Sequence, residues 1–450
     1  MIENLKKYES FSFPKTEFVG FTTLESSATI KMLFDTNGDT VDSLKGHGFI
    51  LFDKTPFYAL GGGQACDKGT ISFENETYDI IDVRKDIIKK YYIHEVNVNH
   101  TLKLEDIVTL KVNSDFRHKA SINHSALHMT GMTIIGLVGH YVEEVGSKLN
   151  DEKYQLQYEV DDLITPSLCV RALEKMNNEI IPAKIPANIF EVTYEEAVAK
   201  EYLYNFTKIE EGDLVRMVEF KDVVIEPCGG THATNSSELK RVYFLNYDRN
   251  AKRILIDYTT NEEFANSYFK EKIDDRLVVI NKMISNHSDL DFKSEQNELK
   301  EIPTERTYLT IQKINKLFTD VTAKVNKKLA ELRKEFTNTF TKTELKEESI
   351  GKFTVIQLDD ELIDQKMLLT KAAILLKDHP HKIYLFINTT DEGIFSLFIE
   401  DKKNTFNFRE KLTSLIENSE FRGGGSPSMM QLKSENPMDI DKLMDFVKNI

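Results

Sequence analysis

At 450 residues the chain is too long for one ordinary hydrophobic core, so two to four domains are expected. Hydrophobic residues make up 40% and charged residues 29%, the balance of a globular protein in water, and three cysteines (Cys66, Cys169, Cys228) are too few for a disulfide framework. A formal net charge of -15 argues against tight nonspecific binding to nucleic acid, whose phosphates need Lys and Arg.

Residues 1–12 mix Glu and Lys and lack an apolar signal core. The longest apolar runs, such as residues 132–138, fall far short of a membrane span. No membrane contact and a cytoplasmic location are the expectation. Residues 1–112 read as β-rich, with apolar runs at 48–52, 70–73 and 107–112 separated by turn signals at Asn37-Gly38 and Gly61-Gly62-Gly63. Six to eight strands in a compact sheet or partial barrel fit this pattern.

The period changes near residue 114. Residues 115–142 carry Ile122, Ala126, Met129, Ile134 and Leu137 at helical spacing, with Ser114 or Asp115 as cap. Gly131, Gly136 and Gly139 weaken that helix but allow close packing against a sheet. Strands are predicted at 154–160 and 214–220, helices at 166–180 and 195–201, and a loop at 182–190, so residues 113–260 read as a mixed α+β domain. Residues 261–348 are polar and mostly helical, an arm or short coiled coil interrupted at Pro303. Within it, residues 321–345 hold six Lys and Arg against three Glu, a basic patch on an acidic protein that leaves room for a selective nucleic-acid contact. Residues 349–450 suggest a small α/β domain, with strands at 352–358 and 382–387 around a helix at 362–376. The fold class expected is therefore α+β: an N-terminal β-barrel-like domain, an α+β core, which the motifs below make the zinc-binding one, a helical arm and a small C-terminal α/β domain.

Four motifs carry chemistry. In His124-Ser-Ala-Leu-His128 the two imidazoles lie one turn apart on a helix face, where they can meet one metal ion. Surface or packing histidines give the same spacing. Cys228-Gly-Gly-Thr-His232 sets a thiolate and an imidazole in a glycine turn, a donor pair suited to zinc, or else a β-turn with a buried Cys. The two pairs lie about a hundred residues apart and each can supply half of a tetrahedral site, so one zinc ion per chain is expected. The string FYALGGGQACDKG at 57–69 is a Gly-rich turn without the Gly-Lys-Ser/Thr of a phosphate loop. Near the C-terminus, Arg422 stands before Gly423, Gly424 and Gly425; such a run can cradle phosphates or a terminal ribose, or form a flexible loop.

In this order the four motifs resemble the editing half of alanyl-tRNA synthetase and its free-standing relatives, the alanyl-tRNA editing proteins of AlaX type. HSALH resembles that family's HxxxH helix, CGGTH its second zinc motif, FYALGGGQACDKG its Gly-rich motif, and RGGGSP the glycine motif of the DHH-associated domain in long forms. The resemblance touches residues 55–432. It departs at Leu60, at Glu144, where the synthetase tends to carry Gln, and at Ser236-Ser237, which replaces Thr-Gly. About fifty residues precede the Gly-rich motif, too few for an ATP-binding ligase domain, so no ATP is expected.

The resemblance implies a trans-editing hydrolase that deacylates mischarged tRNA(Ala), Ser-tRNA(Ala) above all and Gly-tRNA(Ala) with it. The implied zinc ligands are His124, His128, Cys228 and His232, with His232 either a ligand or a supporting group, because a catalytic zinc keeps one position open. Gln64 and Thr231 are candidates to orient the nucleophile or read a serine hydroxyl, and Arg422 with Gly423, Gly424 and Gly425 to contact tRNA. Two other readings stay open: a zinc-dependent hydrolase of another aminoacyl-tRNA ester, and a noncatalytic tRNA-binding protein with structural zinc. A homodimer through the helical arm or C-terminal domain fits the helical pattern, as does an amphipathic helix packed on its own core.

Overall fold

A computed structural model of the chain describes residues 14–86, 91–200, 214–403 and 406–450. Residues 1–12, read for a signal segment, and Glu201, read as the end of a short helix, lie outside the described residues. The chain divides into two compact units, Met1–Val279 with Glu301–Asn315 and Ile280–Lys300 with Lys316–Ile450.

The first unit opens on a sheet with six long strands, besides two-residue strands: β1 (Glu25–Phe34), β2 (Ser43–Phe52), β3 (Gly69–Phe73), β4 (Glu76–Lys85), β5 (Tyr92–Lys103) and β6 (Ile107–Val112). They pair antiparallel in the order β1-β2-β5-β4-β3-β6, and β6 returns to β1, so the sheet closes into a barrel. Period-two alternation sets its inside. In β6, Val108, Leu110 and Val112 are buried while Ile107, Thr109 and Lys111 point out. Ile30, Ile50, Phe52, Ile71, Val83 and Val96 fill the same interior, each worth about 1.5–3 kcal/mol of burial.

Helix α1 (Ser114–Val138) follows directly. Its cap is Asn113, one residue before the predicted pair, whose side chain accepts from the Phe116 amide at 3.1 Å. It stops at residue 138 rather than 142 because Gly139 turns left-handed at φ 84° and its amide closes on the Ile135 carbonyl. Of the three glycines expected to permit close packing only Gly131 does so; a Cβ there would sit 3.3 Å from the Tyr158 hydroxyl, whereas nothing approaches Gly136.

Helix α1 packs on β7 (Glu144–Leu149), β8 (Tyr154–Glu159) and α2 (Pro166–Lys175), the last continuing as a wider turn to Ile180. A three-stranded sheet comprises β9 (Ala187–Thr193), β10 (Leu214–Phe220) and β11 (Val224–Pro227). The strand β9 corrects the predicted loop at 182–190: it starts immediately after Pro186 and pairs along its whole length with β10. Strands β12 (Tyr243–Arg249) and β13 (Arg253–Thr259) complete a four-stranded sheet ordered β7-β8-β13-β12. Tyr154, Tyr158, Leu156, Ile256 and Tyr258 of that sheet meet Ala126, Met129 and Ile134 of α1 in one core.

The second unit is built on a six-stranded sheet. Its strands are β14 (Glu348–Ile350), β15 (Phe353–Leu358), β16 (Ile383–Thr390), β17 (Gly393–Ile399), β18 (Arg422–Ser426) and β19 (Met429–Ser434), in the order β14-β15-β16-β17-β19-β18. The parallel pair β15 and β16 is joined by α3 (Gln365–Asp378), the βαβ unit expected from the sequence. One face packs Met367, Leu368 and Ala372 of α3; the other packs Phe408, Leu415, Leu443 and Val447. Among the described residues no helix is long and apolar enough to cross a membrane.

Candidate metal centre and its cavity

The centre begins with how the barrel is fastened to α1. Arg117 is buried; its guanidinium donates to Asp67, to the Gly20 carbonyl at 2.6 Å and to the Pro56 carbonyl at 2.8 Å. Asp67 also accepts from the Tyr58 amide at 2.6 Å, so both ends of the Gly-rich segment are tied to the helix that carries His124 and His128. The segment turns back on itself between Gly61 and Gln64, with Gly62 and Gly63 at φ 58° and 81°. Gly63 then lies against β7: the Leu149 amide donates to its carbonyl at 2.8 Å, and a Cβ on it would come 2.7 Å from the Ser147 carbonyl.

This turn delivers Gln64, fully buried, to the metal-ligand motifs. Its Oε1 faces His124 Nδ1 at 2.8 Å and accepts the Thr231 amide at 3.1 Å, while its Nε2 donates to Thr231 Oγ1 at 2.9 Å. Ser121 on α1 donates to the same Thr231 hydroxyl at 2.8 Å. The glycine turn 228–230 permits this approach, since a Cβ on Gly230 would sit 2.1 Å from His124 Cε1. Arg216 of β10 fixes the turn by donating to the Cys228 and Gly230 carbonyls.

His124, His128, Cys228 and His232 thereby converge, with one ligand atom of each within 4.8 Å of all the others. Cys228 Sγ lies 3.4 Å from His124 Nε2 and 3.2 Å from His232 Nε2. Each histidine has its Nδ1 engaged elsewhere: His124 with Gln64, His128 with the Glu226 carboxylate, His232 with Ser125 Oγ at 3.2 Å. That pattern fixes the rings and leaves the three Nε2 atoms for the centre. His128 Nε2 is buried without a hydrogen-bond partner, a costly arrangement that a metal ion relieves. Three imidazoles and a thiolate form a donor set that fits zinc.

The charges agree with that use. Burial alone would raise the Cys228 thiol, but the imidazoles of His124, His232 and His128 outweigh it and hold it well below its ordinary value. Burial would lower His128, yet the Cys228 thiolate and Glu226 raise it well above. His232 is pushed down to about 3, mainly by burial. Binding a cation needs the neutral rings and the thiolate, so it displaces protons.

A cavity of about 940 Å³ opens on the centre. Tyr58, Leu60 and Gly61 of the barrel segment line it, as do Leu127, Met132 and Ile135 of α1, Val142, Glu144 and Ser147 around β7, and Glu226. His124, His128 and Cys228 belong to its wall; His232, Gln64 and Thr231 do not. The sequence-predicted residues of the first unit are thus gathered at one place, with Gln64 and Thr231 behind His124 and outside the cavity wall. Arg422 and the three glycines form the exposed edge strand β18 of the second unit, extended and paired with β19 where the reading weighed a cradle or a loop. Sequence reasoning missed Glu226, Ser125 and Ser121. Ser125 lies inside the first ligand motif and Glu226 two residues before the second, but only the partner across the fold gives each a role.

Residues 2–116 match the family described as tRNA synthetases class II (A), and residues 215–255 match the threonyl and alanyl tRNA synthetase second additional domain. The alanine–tRNA ligase of Mycoplasma capricolum is 26% identical over 438 residues, which is 93% of this chain and 48% of the ligase. That of Petrotoga mobilis is 31% identical over 239 residues, 52% of this chain and 26% of the ligase. The chain spans about half the length of the curated relatives it matches along its whole length. Among solved structures, the C-Ala domain of Aquifex aeolicus alanyl-tRNA synthetase matches 23% of the chain at 18% identity and a TM-score of 0.20, covering 100% of that domain.

Proposed function

We infer, from a chain related to the alanine–tRNA ligases over nearly its whole length, an editing hydrolase that cleaves the ester of mischarged tRNA(Ala). Ser-tRNA(Ala) is the principal substrate, with Gly-tRNA(Ala) accepted because glycine is small. The observation that carries this reading is the buried, unpartnered Nε2 of His128, grouped with three more metal donors of which His124 and Cys228 share the cavity wall with it. One zinc ion held by His124, His128 and Cys228, with His232 as fourth ligand or support, would supply a Lewis acid there.

The chain's own residues do the rest. Gln64, Glu226 and Ser125 orient the three rings. Thr231 braces Gln64 from behind, so Gln64 and Thr231 are positioning residues rather than contacts to substrate. Leu127, Met132, Ile135 and Val142 give the cavity an apolar side that excludes bulk water from the ester. Discrimination of Ser from Ala rests on hydrogen-bonding the extra hydroxyl, since a methyl-sized difference is worth only about 1–3 kcal/mol in an apolar pocket. Arg422 and Gly423–Gly425 on the exposed strand are assigned to tRNA contact outside the cavity.

The test is release of labelled amino acid from Ser-, Gly- and Ala-tRNA(Ala) by the full chain, with and without a zinc chelator. The reading expects chelator-sensitive loss of serine and glycine with alanine spared. Folded, zinc-loaded protein that binds tRNA yet releases neither would replace it with a noncatalytic role.

A further inference from the structure

Beside the centre the cavity wall carries a carboxylate to which the proposed chemistry gives no task. Glu144 is the first residue of β7 and lines the wall beside the centre. It pairs with Tyr158 of β8 immediately before a register shift at Gly146, and such a bulge re-aims the side chain at its edge. Its carboxylate lies over Gly131, with Oε2 3.7 Å from where a Cβ would stand. Gly131 follows His128 by one helical turn, so the missing side chain makes room for the carboxylate next to the metal ligands.

Glu144 is also short of a cation. Its side-chain hydrogen bond is to Ser147, and among the described residues no Lys or Arg forms an ion pair with it. Burial pushes its carboxyl up to about 7, Glu226 pushes the same way, and His128 opposes them. An anion held in that state gains from any cation that enters the cavity. Of the other two carboxylates on the wall, Glu226 is taken by His128 Nδ1 and Asp86 accepts the Tyr91 amide at 2.8 Å. Of the two basic side chains on the wall, Arg84 is bound to Asp82 at 2.6 Å and Lys85 lies over the Tyr92 ring at 5.0 Å. An aminoacyl ester brings one cation of its own, the α-ammonium, on the carbon next to the ester carbonyl.

We propose that Glu144 receives the α-ammonium of the aminoacyl ester and makes the cavity selective for acyl groups with a free amine over N-acylated ones. The proposal rests on the aminoacyl-ester reading of this cavity. Glu144 is then a specificity residue that holds the substrate through a charge-assisted hydrogen bond.

The experiment compares Ser-tRNA(Ala) with N-acetyl-Ser-tRNA(Ala) for the full-length wild type and its Glu144→Gln variant, with zinc content and melting temperature measured on both. Glu144→Gln should lower kcat/KM for the free-amine ester roughly 10- to 100-fold, mainly through KM. Its rate on the N-acetyl ester should stay within about twofold of wild type, so the preference collapses. Equal loss on both esters would overturn the proposal in favour of a proton-transfer or structural role, and no loss on either would overturn it outright. Should the zinc-loaded wild type hydrolyse neither ester, the hydrolase reading fails on its own. Glu144 is then decided by calorimetric binding of the 3′-serylamido analogue of the terminal adenosine and its N-acetyl form. Weakening by Glu144→Gln confined to the amine analogue supports the proposal, and equal affinities contradict it.

Discussion

Two glycine runs look alike in the sequence and serve different ends in the structure. Gly61–Gly63 is a tight turn in which Gly62 and Gly63 take positive φ, and it places Gln64 against a metal ligand. Gly423–Gly425 is an extended edge strand in which none of the three has positive φ. There the requirement is clearance: a Cβ on Gly423 would come 1.9 Å from the Gln431 carbonyl, and one on Gly425 2.0 Å from that of Met429, while Gly424 faces open space. A glycine can thus be demanded by its torsions or by what lies opposite, and a run of glycines does not say which.

The sharpest way to break the comparison is to remove the metal donors that the first run supports. Cys228→Ser should lose zinc and hydrolysis by more than the 10- to 100-fold typical of a supporting partner, read by metal analysis and deacylation rate; unchanged zinc content would disqualify Cys228 as a ligand. Next in size are the supports. Gln64→Ala and Glu226→Gln should each weaken zinc binding roughly 10- to 100-fold in a chelator competition while the barrel stays folded. A smaller effect, on stability, is expected from Gly63→Ala, which meets both a positive φ and the Ser147 carbonyl. It should lose about 1–3 kcal/mol in urea unfolding and some zinc affinity with it. Gly424→Ala should change stability by less than about 0.5 kcal/mol and leave zinc untouched; a drop as large as that of Gly63→Ala would erase the distinction.

What could be read in advance follows the range of the interaction that decides it. The spacing of His124 and His128 is set by one helical turn, and that of Cys228 and His232 by a five-residue turn, so both pairs were visible in the chain. The barrel was visible because its strands alternate. Strand β7 was not, since EVGSKL carries a glycine and charges in a run that becomes a strand only by pairing with β8. Strand β9 was hidden behind Pro182 and Pro186, which mark a loop up to its first residue. Glu226 and Gln64 acquire their roles from rings that lie far away in sequence, His128 and His124, and no local pattern announces such partners.

The most direct test of the account is zinc add-back to metal-depleted full-length protein, followed by the rate of serine release from Ser-tRNA(Ala). The account predicts negligible release without metal, a linear rise with added zinc, and a plateau at one ion per chain. Full activity in the metal-depleted protein, or none at saturating zinc in a folded chain, would contradict it.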